Sequence, residues 1–537
     1  MKSLAQITPI GGSGQIGSNL IHITGAGASF VIDCGLLFPY EDFFDINYLI
    51  PDFYQLDPIP THLIISHGHE DHIGAIVEFV RAYPKIEIWL SPFCRELVVR
   101  KLGFAAESAN IKVYQAPTTE IEVGDFVIRP LEVNHSIPET HGLFVYQKSQ
   151  DYCFFYVSDF KIDPKAINER PFDLDLLRRW SQPFKRRLLA ADSTNILSSQ
   201  HKTTSESEVV HSLEHLIKAA PSRVFITLFS SNVHRINNIA SICRKLGRKL
   251  MTVGRSVENY MNAGLATDHL EDVTDILRTP ESYNIKSDQL VIITSGCQGE
   301  FRSGLKRISL GNDSNFKPGD RDTFIFSSKA IPGNEKKVSL MLNDLTSFGS
   351  KIILDSPECR VHASGHAGVD DLEMLYDAFN PTTFFPTHGE TFFLERHQDH
   401  FSKLHQNCQV LRPLNFDHID ISSEQITIQK GEPLPPILIH GNHHPIEREA
   451  ISERRKLACQ GLICASVLFK RDSIKDIQVT LQGLPRSINV ASVVEKIEEL
   501  YSGKSSGASE DLRIGLRRFY GEFLGYKPQV IIQVFQN

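Results

Sequence analysis

The stretch Ser66-His67-Gly68-His69-Glu70-Asp71-His72 decides the fold, because it places three histidines and an aspartate within six consecutive residues. It follows an apolar run typical of a β-strand, Thr61-His62-Leu63-Ile64-Ile65, and it leads into Ile73-Gly74-Ala75-Ile76-Val77, where a helix can start. Imidazole nitrogens and carboxylate oxygens are ligands that suit zinc, and spacings of two and three residues on a strand-to-helix loop let several of them converge. The sequence therefore predicts a metal site with one or two ions at this loop.

Composition sets the limits within which this site works. The 537 residues exceed one compact core and predict about three domains at roughly 150 residues each. Nine scattered cysteines without any Cys-x-x-Cys pair argue against a disulfide framework and against a thiolate zinc site. Met1 to Ile7 lacks the apolar core of a signal peptide, and no apolar run approaches the roughly 20 residues of a membrane span, so we expect a cytoplasmic protein that is not in a membrane.

The net charge of −8 repels polyanions at long range, so a nucleic-acid substrate would need a local positive lining and metal. Two basic runs, Lys185-Arg186-Arg187 and Arg244-Lys245-Leu246-Gly247-Arg248-Lys249, are candidates for such a lining. Charge runs are more often solvated surface, and the sequence leaves both interpretations open.

The pattern of apolar runs changes along the chain. Short strands alternate with Gly-rich turns up to about residue 200, which indicates a layered α/β domain. Strand runs separated by helical lengths from about 205 to 355 predict a parallel sheet. Residues 430–447 are rich in Pro and Gly and are typical of a linker. A small α+β tail follows, with predicted strands at 462–469, 477–481 and 529–535 and predicted helices at 490–501 and 511–524.

Further metal ligands are expected where a His or Asp directly follows an apolar strand. His135, Asp159 and His388 meet this condition in Asn134-His135-Ser136, Ser158-Asp159-Phe160 and Thr387-His388-Gly389. Because strand ends at one edge of a sheet share a crevice, we predict that these three side chains join the histidine-rich loop.

With these residues the chain resembles the metallo-β-lactamase fold. Four motifs resemble its β-CASP nuclease subgroup and, within it, ribonuclease J: Asp192-Ser193-Thr194-Asn195, Phe229-Ser230-Ser231-Asn232, Gly254-Arg255-Ser256 and His362-Ala363-Ser364-Gly365-His366. Ile331-Pro332-Gly333-Asn334-Glu335-Lys336 supports the same resemblance. Gly296-Cys297-Gln298-Gly299-Glu300-Phe301 departs from it, because the family usually has Ser before Gln and Pro after Glu.

The resemblance implies an α/β fold class, in which a metallo-β-lactamase αββα sandwich carries an inserted β-CASP α/β domain and a small α+β C-terminal domain. The expected boundaries are 1–204 for the first part of the sandwich, 205–360 for the β-CASP domain, 361–429 for the returning segment, 430–447 for the linker and 448–537 for the C-terminal domain. By the same resemblance the tail promotes self-association, as a homodimer or a homotetramer.

For the metal site, the resemblance implies two Zn²⁺ ions per subunit. One would be held by His67, His69 and His135 and the other by Asp71, His72 and His388, with Asp159 bridging them. Asp33 matches the family's first motif and would orient ligands, although a carboxylate that caps nearby amides explains it equally well. Manganese or magnesium remain alternatives, because such N and O donors accept more than one ion.

A dinuclear zinc site can activate a hydroxide and polarise a phosphoryl oxygen, which suits phosphodiester hydrolysis. The resemblance implies that Asp71 serves this chemistry and that His366, paired with Asp192, protonates the departing oxygen. Six residues would bind substrate, in part as a pocket for a 5′-phosphate: Ser231, Arg255, His362, Ser364, Gly365 and His366.

The expected function is that of a ribonuclease in RNA processing and decay. The resemblance implies that its partner is RNA, that it degrades 5′-monophosphorylated RNA from the 5′ end, and that it cleaves internally when RNA is threaded directly. Three alternatives stay open: a small-molecule hydrolase of the same fold, a DNA nuclease, and a catalytically silent RNA-binding subunit. The long insertion between Asp159 and His388 argues against the first, and the retention of all seven ligand positions argues against the last.

Overall fold

The computed structural model describes residues 3–39, 46–271, 276–277, 285–331, 333–504 and 506–536. Of the sequence features above, Met1, Lys2 and Pro332 lie outside the described residues. The chain divides into two compact units, Met1–Tyr40 with Leu49–Pro436, and Glu41–Tyr48 with Ile437–Asn537.

The larger unit is built on two sheets that face each other. Among the described residues, the first sheet has eight strands, in the spatial order Ile426–Gln429, His418–Ser422, Ser3–Gly11, Leu20–Gly25, Ala28–Ile32, His62–Ile64, Glu87–Leu90 and Asn110–Val113. The second has seven, in the order Gln409–Val410, Thr383–Thr387, Arg186–Asp192, Tyr152–Val157, His141–Gln147, Phe126–Glu132 and Ile121–Val123. Ser13–Gly14 and Gly389–Glu390 form a separate short parallel pair.

The apolar side chains of these strands form the core between the sheets. Ile7, Ile23 and Phe30 of the first sheet pack in one cluster with Ile128, Phe154 and others of the second. A second cluster lies on the opposite face of the second sheet, where Phe155, Leu189 and Phe384 meet helix residues such as Leu372, Leu375 and Phe401. Strands that are buried on both faces read as continuous apolar runs, as Tyr152–Val157 does.

Helices cover the outer faces and connect the parallel strands. In the sandwich they are Glu70–Ile73, Ile76–Ala82, Pro92–Leu102, Leu174–Ser181, Val369–Phe379 and Thr391–Leu404, with a 3₁₀ turn at Gly103–Glu107. Pro92–Leu102 begins at an N-cap, Ser91, whose hydroxyl accepts from the Cys94 backbone N–H, and Pro92 fits the first helical position because it has no N–H to satisfy. These outer helices and the two inner sheets give the αββα order of layers.

An inserted region carries the third sheet, and every strand pair in it is parallel. The strands stand in the order Ile276–Leu277, Lys249–Val253, Leu290–Thr294, Val224–Thr227, Thr323–Phe326 and Lys351–Ile353. The helices are Glu206–Ala219, Val233–Leu246, Arg255–Ala266, Gly304–Ser309 and Glu335–Ser347, with a 3₁₀ turn at Ser287–Gln289. A parallel sheet needs helical crossovers, so the strand and helix spacing of the sequence predicts this arrangement.

The smaller unit has its own core. Leu462–Lys470 lies between Ser473–Gln482 and Gln529–Gln536, and the helices Val490–Leu500 and Ala508–Leu524 cover one face of this sheet, with Val467, Val493 and Leu516 in the shared core. Helix Arg448–Gln460 precedes the sheet. These bounds lie within a few residues of the predicted elements of the tail.

The segment predicted as a linker contains regular structure in its second half. Ile437–His440 pairs with His444–Ile446, and Ile46–Ile50 is the third strand of this sheet. The run Ile437-Leu438-Ile439 favours a strand. The surrounding prolines interrupt the apolar periodicity from which a strand is predicted, so the sequence alone does not indicate it. No helix in the described part of the chain is both long and apolar enough to span a bilayer.

Candidate metal centre

Parallel strands bring three polar side chains to one edge of the second sheet. Tyr152–Val157 pairs in parallel with Arg186–Asp192, which pairs in parallel with Thr383–Thr387. The carboxyl ends of these strands therefore lie side by side, and they carry Asp159, Asp192 and His388. The crevice beyond the carboxyl ends of parallel strands is where α/β proteins bind ligands.

The first sheet supplies the opposite side of the site. Ala28–Ile32 pairs in parallel with His62–Ile64, so Asp33 and the loop Ser66–His72 leave the same edge together. Gly35 lies so close to this loop that a Cβ on it would come within 1.6 Å of the Asp71 carbonyl oxygen. A glycine is therefore required for the close approach of these two segments.

One cluster of metal-binding groups consists of His67, His69, His135 and Asp159. Its candidate ligand atoms all lie within 4.8 Å of one another. His69 Nδ1 is 3.2 Å from His67 Nε2 and 3.1 Å from His135 Nε2, and Asp159 Oδ2 is 3.5 Å from His135 Nε2. Three imidazoles and a carboxylate form a donor set that suits a four-coordinate zinc ion.

A second cluster consists of Asp71, His72, His388 and, again, Asp159. His72 Nε2 lies 3.0 Å from Asp159 Oδ1 and 3.5 Å from Asp71 Oδ2, and His388 Nε2 lies 3.7 Å from Asp71 Oδ2. Asp159 is the one residue shared by the two clusters, with Oδ2 towards the first and Oδ1 towards the second. The structure thus brings together all seven predicted ligand residues in the predicted grouping.

Hydrogen bonds on the far side of each ring determine which nitrogen faces the cluster. His135 Nδ1 donates to the Gly365 carbonyl oxygen at 2.6 Å, which leaves Nε2 for the cluster. His72 Nδ1 donates to Asp33 Oδ2 at 2.8 Å, and His388 Nδ1 donates to Asn19 Oδ1 at 2.9 Å. Such outer partners fix the tautomer and the orientation of a metal-binding histidine.

Asp33 is fully buried and accepts from three groups. Besides His72, its carboxylate accepts from the Ser66 backbone N–H at 2.7 Å and from the Ser66 hydroxyl at 2.9 Å. Its backbone has a φ of 62°, and His388 has a φ of 50°, although neither is glycine. Left-handed backbone at such residues costs about 1 kcal/mol or more and persists where surrounding contacts enforce it, which is common at functional sites.

Burial keeps the imidazoles of the first cluster neutral. It lowers the pKa of His69 to about 4 and holds the pKa of His67 and His135 well below the ordinary value. Burial alone would raise the pKa of Asp159, but His388, His72 and His67 outweigh it and hold that pKa low. Neutral imidazoles and an ionised carboxylate are the protonation states in which these groups bind a metal.

The second cluster stabilises positive charge. Burial opposes protonation of His72, but Asp159, Asp71 and Asp33 together hold its pKa well above the ordinary value. In addition, Asp159 Oδ1 is buried yet accepts no well-aligned hydrogen bond from the described residues. The carboxylates of this cluster favour a cation, and the buried Asp159 Oδ1 lacks a well-aligned hydrogen bond from the described residues. Both features fit a divalent metal ion at this position.

The structure places Asn19 between His388 and the Asp71-His72 pair of the second cluster. The sequence does not single out this residue. Its Nδ2 donates to the Asp71 carbonyl oxygen at 3.1 Å and lies 3.0 Å from His72 Nε2, while its Oδ1 accepts from His388. Asn19 follows the Gly-rich stretch Gly11-Gly12-Ser13-Gly14 and not an apolar strand. The strand-end pattern that predicts the other residues therefore does not identify it.

Asp192, which is buried, and His366, which is partly exposed, form a pair beside the metal clusters. His366 Nδ1 donates to Asp192 Oδ2 at 2.8 Å, and His366 Nε2 lies 3.9 Å from Asp159 Oδ2. Burial would lower the pKa of His366, but Asp192 and the neighbouring carboxylates raise it to about 9. These carboxylates favour the protonated form of the ring, whose Nε2 faces Asp159.

The turn that contains His366 also supports the first cluster. A Cβ on Gly365 would come within 2.7 Å of His135 Cε1, so only glycine allows this approach. Ser364 Oγ accepts from Asn195 Nδ2 at 2.9 Å and from the His366 backbone N–H at 3.1 Å, and its own proton stays available to a ligand. His362, in contrast, is buried near Arg235, and burial followed by this charge lowers its pKa to about 3, so it offers a ligand no positive charge.

The two remaining predicted substrate residues lie in the inserted region. Ser231 lies against the first cluster, because its Oγ is 3.0 Å from His69 Nε2 and can accept the proton on that nitrogen. Arg255 is exposed at the first position of helix Arg255–Ala266. Within the described part of the chain, it forms no hydrogen bond or ion pair with the Ser364–His366 turn.

The two basic runs are largely engaged within the fold. Arg187 donates to the carbonyl oxygens of Asn380 and Phe184, both at 2.6 Å, and Arg186 donates to the Ser422 carbonyl oxygen. Arg248 donates to the carbonyl oxygens of Ser222 and Ala220, at 3.0 and 2.7 Å. These contacts favour a structural role for much of both runs.

Gln298 lies in the stretch that departs from the family pattern, and it forms hydrogen bonds with the backbone of Lys329 and Ile331. Its Oε1 accepts from the Ile331 backbone N–H at 2.7 Å, and its Nε2 donates to the Lys329 carbonyl oxygen at 2.9 Å. Cys297 before it is buried, whereas Phe301 is 84% exposed. The departure therefore alters a buried position and a surface position, and neither residue belongs to a metal cluster.

Three family profiles match successive parts of the chain. "Metallo-beta-lactamase superfamily" matches residues 13–151, "Ribonuclease J, beta-CASP domain" matches residues 221–345, and "Zn-dependent metallo-hydrolase RNA specificity domain" matches residues 358–411. The predicted fold class, a metallo-β-lactamase fold with an inserted β-CASP domain, is confirmed by these matches together with the layered architecture.

Similar proteins named Ribonuclease J occur in several bacteria. That of Helicobacter pylori strain J99 is 32% identical over 491 residues, which covers 88% of this chain and 68% of the relative. The Thermus thermophilus protein is 30% identical, with 88% of this chain and 84% of the relative covered, and the Mycobacterium tuberculosis CDC 1551 protein is 29% identical, with 98% and 96% covered.

Among solved structures, a protein of unknown function from Enterococcus faecalis V583 has the same fold, with a TM-score of 0.57 at 16% identity over 78% of this chain and all of that one. This structural likeness shows the fold alone, whereas the relatives at 30% and 32% sequence identity show the family. The chain, with its His and Asp clusters at the strand ends of a metallo-β-lactamase sandwich, belongs to the ribonuclease J family of metal-dependent, RNA-hydrolysing enzymes.

Proposed function

We propose that this protein hydrolyses RNA phosphodiesters with two zinc ions per subunit, as a 5′-to-3′ exonuclease that favours a 5′-monophosphate and also cleaves internally. The observation that carries the dinuclear proposal is the position of Asp159, which faces one group of three ligands with each carboxylate oxygen. A bridging carboxylate between two ions is the arrangement that such a shared position supports.

His67, His69 and His135 would hold one ion, and Asp71, His72 and His388 the other, with Asp159 between them. Zinc ions bound there would supply Lewis-acid polarisation of a phosphoryl oxygen and activation of water at neutral pH. The three imidazoles of the first cluster, kept neutral by burial, favour zinc over magnesium at that position, because magnesium prefers oxygen ligands.

His366 would protonate the departing O3′ of the RNA. Asp192 holds Nδ1 of the ring at 2.8 Å, so the proton on Nε2 is the one available to the substrate. An aspartate that fixes the orientation of an imidazole and stabilises its charged form is the arrangement by which acid catalysis is usually supported. Its contribution is expected to be about 10²- to 10⁴-fold in rate.

The Ser364–His366 turn is the proposed pocket for the 5′-phosphate. The free proton of the Ser364 hydroxyl and the charged His366 ring suit a dianionic phosphate. Ser231 and Arg255 extend the proposed substrate contacts on the side of the inserted region, and His362 would contribute no charge, because its ring is buried and neutral. A pocket at a fixed distance from the metals would release one nucleotide at a time.

We also propose self-association, as a dimer or a tetramer. In the smaller unit, the strand Gln529–Gln536 leaves Ile531 47% and Phe535 53% exposed, and apolar side chains of this size favour contact with another chain. Sedimentation velocity of the full chain would give the state directly.

The test uses three versions of one RNA, with a 5′-monophosphate, a 5′-triphosphate or a 5′-hydroxyl, and a DNA of the same sequence. We expect zinc-loaded protein to release mononucleotides from the 5′ end, fastest from the monophosphorylated RNA and with little effect on DNA. Shortening from the 3′ end, or equal rates on all 5′ ends, would contradict the proposed direction and preference.

A further inference from the structure

A buried histidine outside the metal clusters makes hydrogen bonds with both of its ring nitrogens. His397 Nδ1 is 2.9 Å from Ser193 Oγ, and His397 Nε2 shares a short hydrogen bond with the Tyr376 hydroxyl. All three side chains are buried, with His397 and Tyr376 fully so. Burial lowers the pKa of His397 to about 3, so the ring is neutral, with one nitrogen that donates and one that accepts.

Each member of this trio belongs to a segment that carries a residue of the active site. Ser193 directly follows Asp192 at the end of strand Arg186–Asp192. Tyr376 lies on helix Val369–Phe379, which begins three residues after His366, and His397 lies on helix Thr391–Leu404, which begins three residues after His388. Hydrogen bonds among His397, Ser193 and Tyr376 therefore connect the three segments that carry Asp192, His366 and His388.

Further contacts hold these segments together near the site. The Thr194 hydroxyl donates to the His388 carbonyl oxygen at 3.2 Å, and the Thr194 backbone N–H donates to Asp192 Oδ1 at 2.8 Å. A Cβ on Gly389 would come within 2.9 Å of Ser193 Cβ, so Ser193 lies directly against the residue after His388. Ser193 therefore holds Asp192 next to the segment of His388.

The rings of His366 and His388 are also stacked, with centroids 5.6 Å apart and an angle of 14° between their planes. The position of the proposed proton donor relative to a metal ligand thus depends on how the segments of Asp192 and His388 are held. His397 makes the only side-chain hydrogen bond of the described residues that reaches from helix Thr391–Leu404 to Ser193.

We propose that His397 is a positioning residue that fixes the Asp192–His366 pair relative to His388 and so aims the His366 Nε2 proton at the departing oxygen. The inference rests on the proposed function, in which His366 is the acid. In that step a water oxygen forms a bond to phosphorus, the bond from phosphorus to O3′ breaks, and the Nε2 proton passes to O3′. The attacking water releases one proton to solvent, and His366 regains one from solvent.

The role predicts a dependence on the leaving group. RNA loses a poor leaving group, the O3′ alkoxide, which needs a proton, whereas an ester that releases p-nitrophenolate needs none. Misplacement of a catalytic group by about 1 Å can cost roughly 10²-fold in rate. Loss of the His397 contacts should therefore slow RNA cleavage and leave hydrolysis of a p-nitrophenyl ester of a nucleoside 5′-phosphate unchanged.

The experiment compares His397→Phe, which keeps an aromatic ring but removes both hydrogen bonds, with His397→Gln, whose amide can donate and accept. His400→Phe on the same helix is the matched control, because His400 lies against Glu373 and not against Ser193. Tyr376→Phe removes only one hydroxyl and decides the question if His397→Phe does not fold. Each protein is assayed on 5′-monophosphorylated RNA and on the nitrophenyl ester, and its zinc content is measured.

We expect His397→Phe to lose about 10- to 100-fold on RNA with unchanged ester hydrolysis and zinc content, His397→Gln to recover most of the RNA rate, and His400→Phe to match the wild type. Equal losses on both substrates, a loss of zinc, or a wild-type rate on RNA would each overturn the positioning role. If the wild-type protein hydrolyses the ester but not RNA, the proposed function fails instead, and the two failures are distinguishable.

Discussion

Individual hydrogen bonds at the metal clusters select the atoms that face a metal. Asp33 is the strongest example, since it is fully buried and fixes His72 through Nδ1 while two donors from Ser66 fix the carboxylate itself. Its left-handed backbone shows that the surrounding contacts enforce this position. We therefore propose that Asp33 would act on a bound metal through His72.

Asp33→Asn tests this role. We expect zinc affinity to fall about 10- to 100-fold, because the amide presents a donor where His72 needs an acceptor. Competition with a chromophoric chelator gives the affinity without reference to activity. Asp125→Asn, at an exposed turn, serves as the control and should bind zinc as the wild type does; equal affinities for Asp33→Asn and the control would contradict the account.

His366→Ala separates proton donation from metal binding. His366 lies 3.9 Å from Asp159 but belongs to neither ligand cluster, so the variant should keep its zinc. RNA cleavage should slow by about 10²- to 10⁴-fold. Single-turnover rates, measured alongside zinc content, check both statements, and a normal rate would remove the role of His366 as the acid.

Ser364→Leu tests the phosphate pocket. The larger side chain removes a hydroxyl and fills the turn next to Gly365, so the preference for a 5′-monophosphate over a 5′-hydroxyl should disappear while zinc stays bound. The ratio of kcat/KM values on the two RNAs measures this preference. An unchanged ratio would show that the 5′-phosphate binds elsewhere.

At the residue scale, the sequence predicts the seven ligand positions because His and Asp directly follow apolar strands or cluster in one loop. It does not predict Asn19 or His397. Asn19 follows a Gly-rich turn, and His397 lies within an amphipathic helix, where a lone histidine on a buried face has no distinguishing pattern. Their roles depend on segments far apart in the sequence.

At the scale of elements, a buried ion pair joins two helices of the inserted region and lies next to a lysine of the sandwich. Arg235, on helix Val233–Leu246, donates two hydrogen bonds to Glu206 at the start of helix Glu206–Ala219, and both side chains are buried. Lys161 of the sandwich lies 3.9 Å from Glu206. Although burial would raise the pKa of Glu206, Arg235 and Lys161 lower it to about 2.

Glu206→Gln should destabilise the protein at pH 7 by about 3 to 5 kcal/mol, because it leaves Arg235 buried without its carboxylate. Since the pKa of Glu206 is lower in the folded than in the unfolded state, its stabilisation is present above about pH 4.3 and is lost as the pH falls towards 2. Urea unfolding at several pH values should show the gap between wild type and variant closing below pH 4. A gap that is independent of pH would contradict this assignment.

Periodicity predicts most elements of the tail within a few residues, since each carries a clear strand or helix pattern and the last helix ends at Gly525. It does not predict that Ile46–Ile50 joins the sheet of Ile437–His440, because the pairing connects segments almost 400 residues apart in sequence. Such non-local pairing leaves no local signal.

For the whole molecule, the sequence pattern indicates a layered α/β architecture. The resemblance to a family predicts an inserted α/β domain, and the third, parallel sheet of the structure lies in that insertion. The insertion matters because it places Ser231 Oγ 3.0 Å from His69 Nε2, so that residues of two regions meet beside the first cluster. We propose that seven side chains from distant parts of the chain hold two metal ions on either side of Asp159.

Anomalous diffraction from crystals of the zinc-loaded protein, collected on both sides of the zinc absorption edge, tests that claim most directly. We expect two zinc peaks that flank the Asp159 carboxylate, one next to His67, His69 and His135 and the other next to Asp71, His72 and His388. A single peak, or peaks away from Asp159, would contradict it.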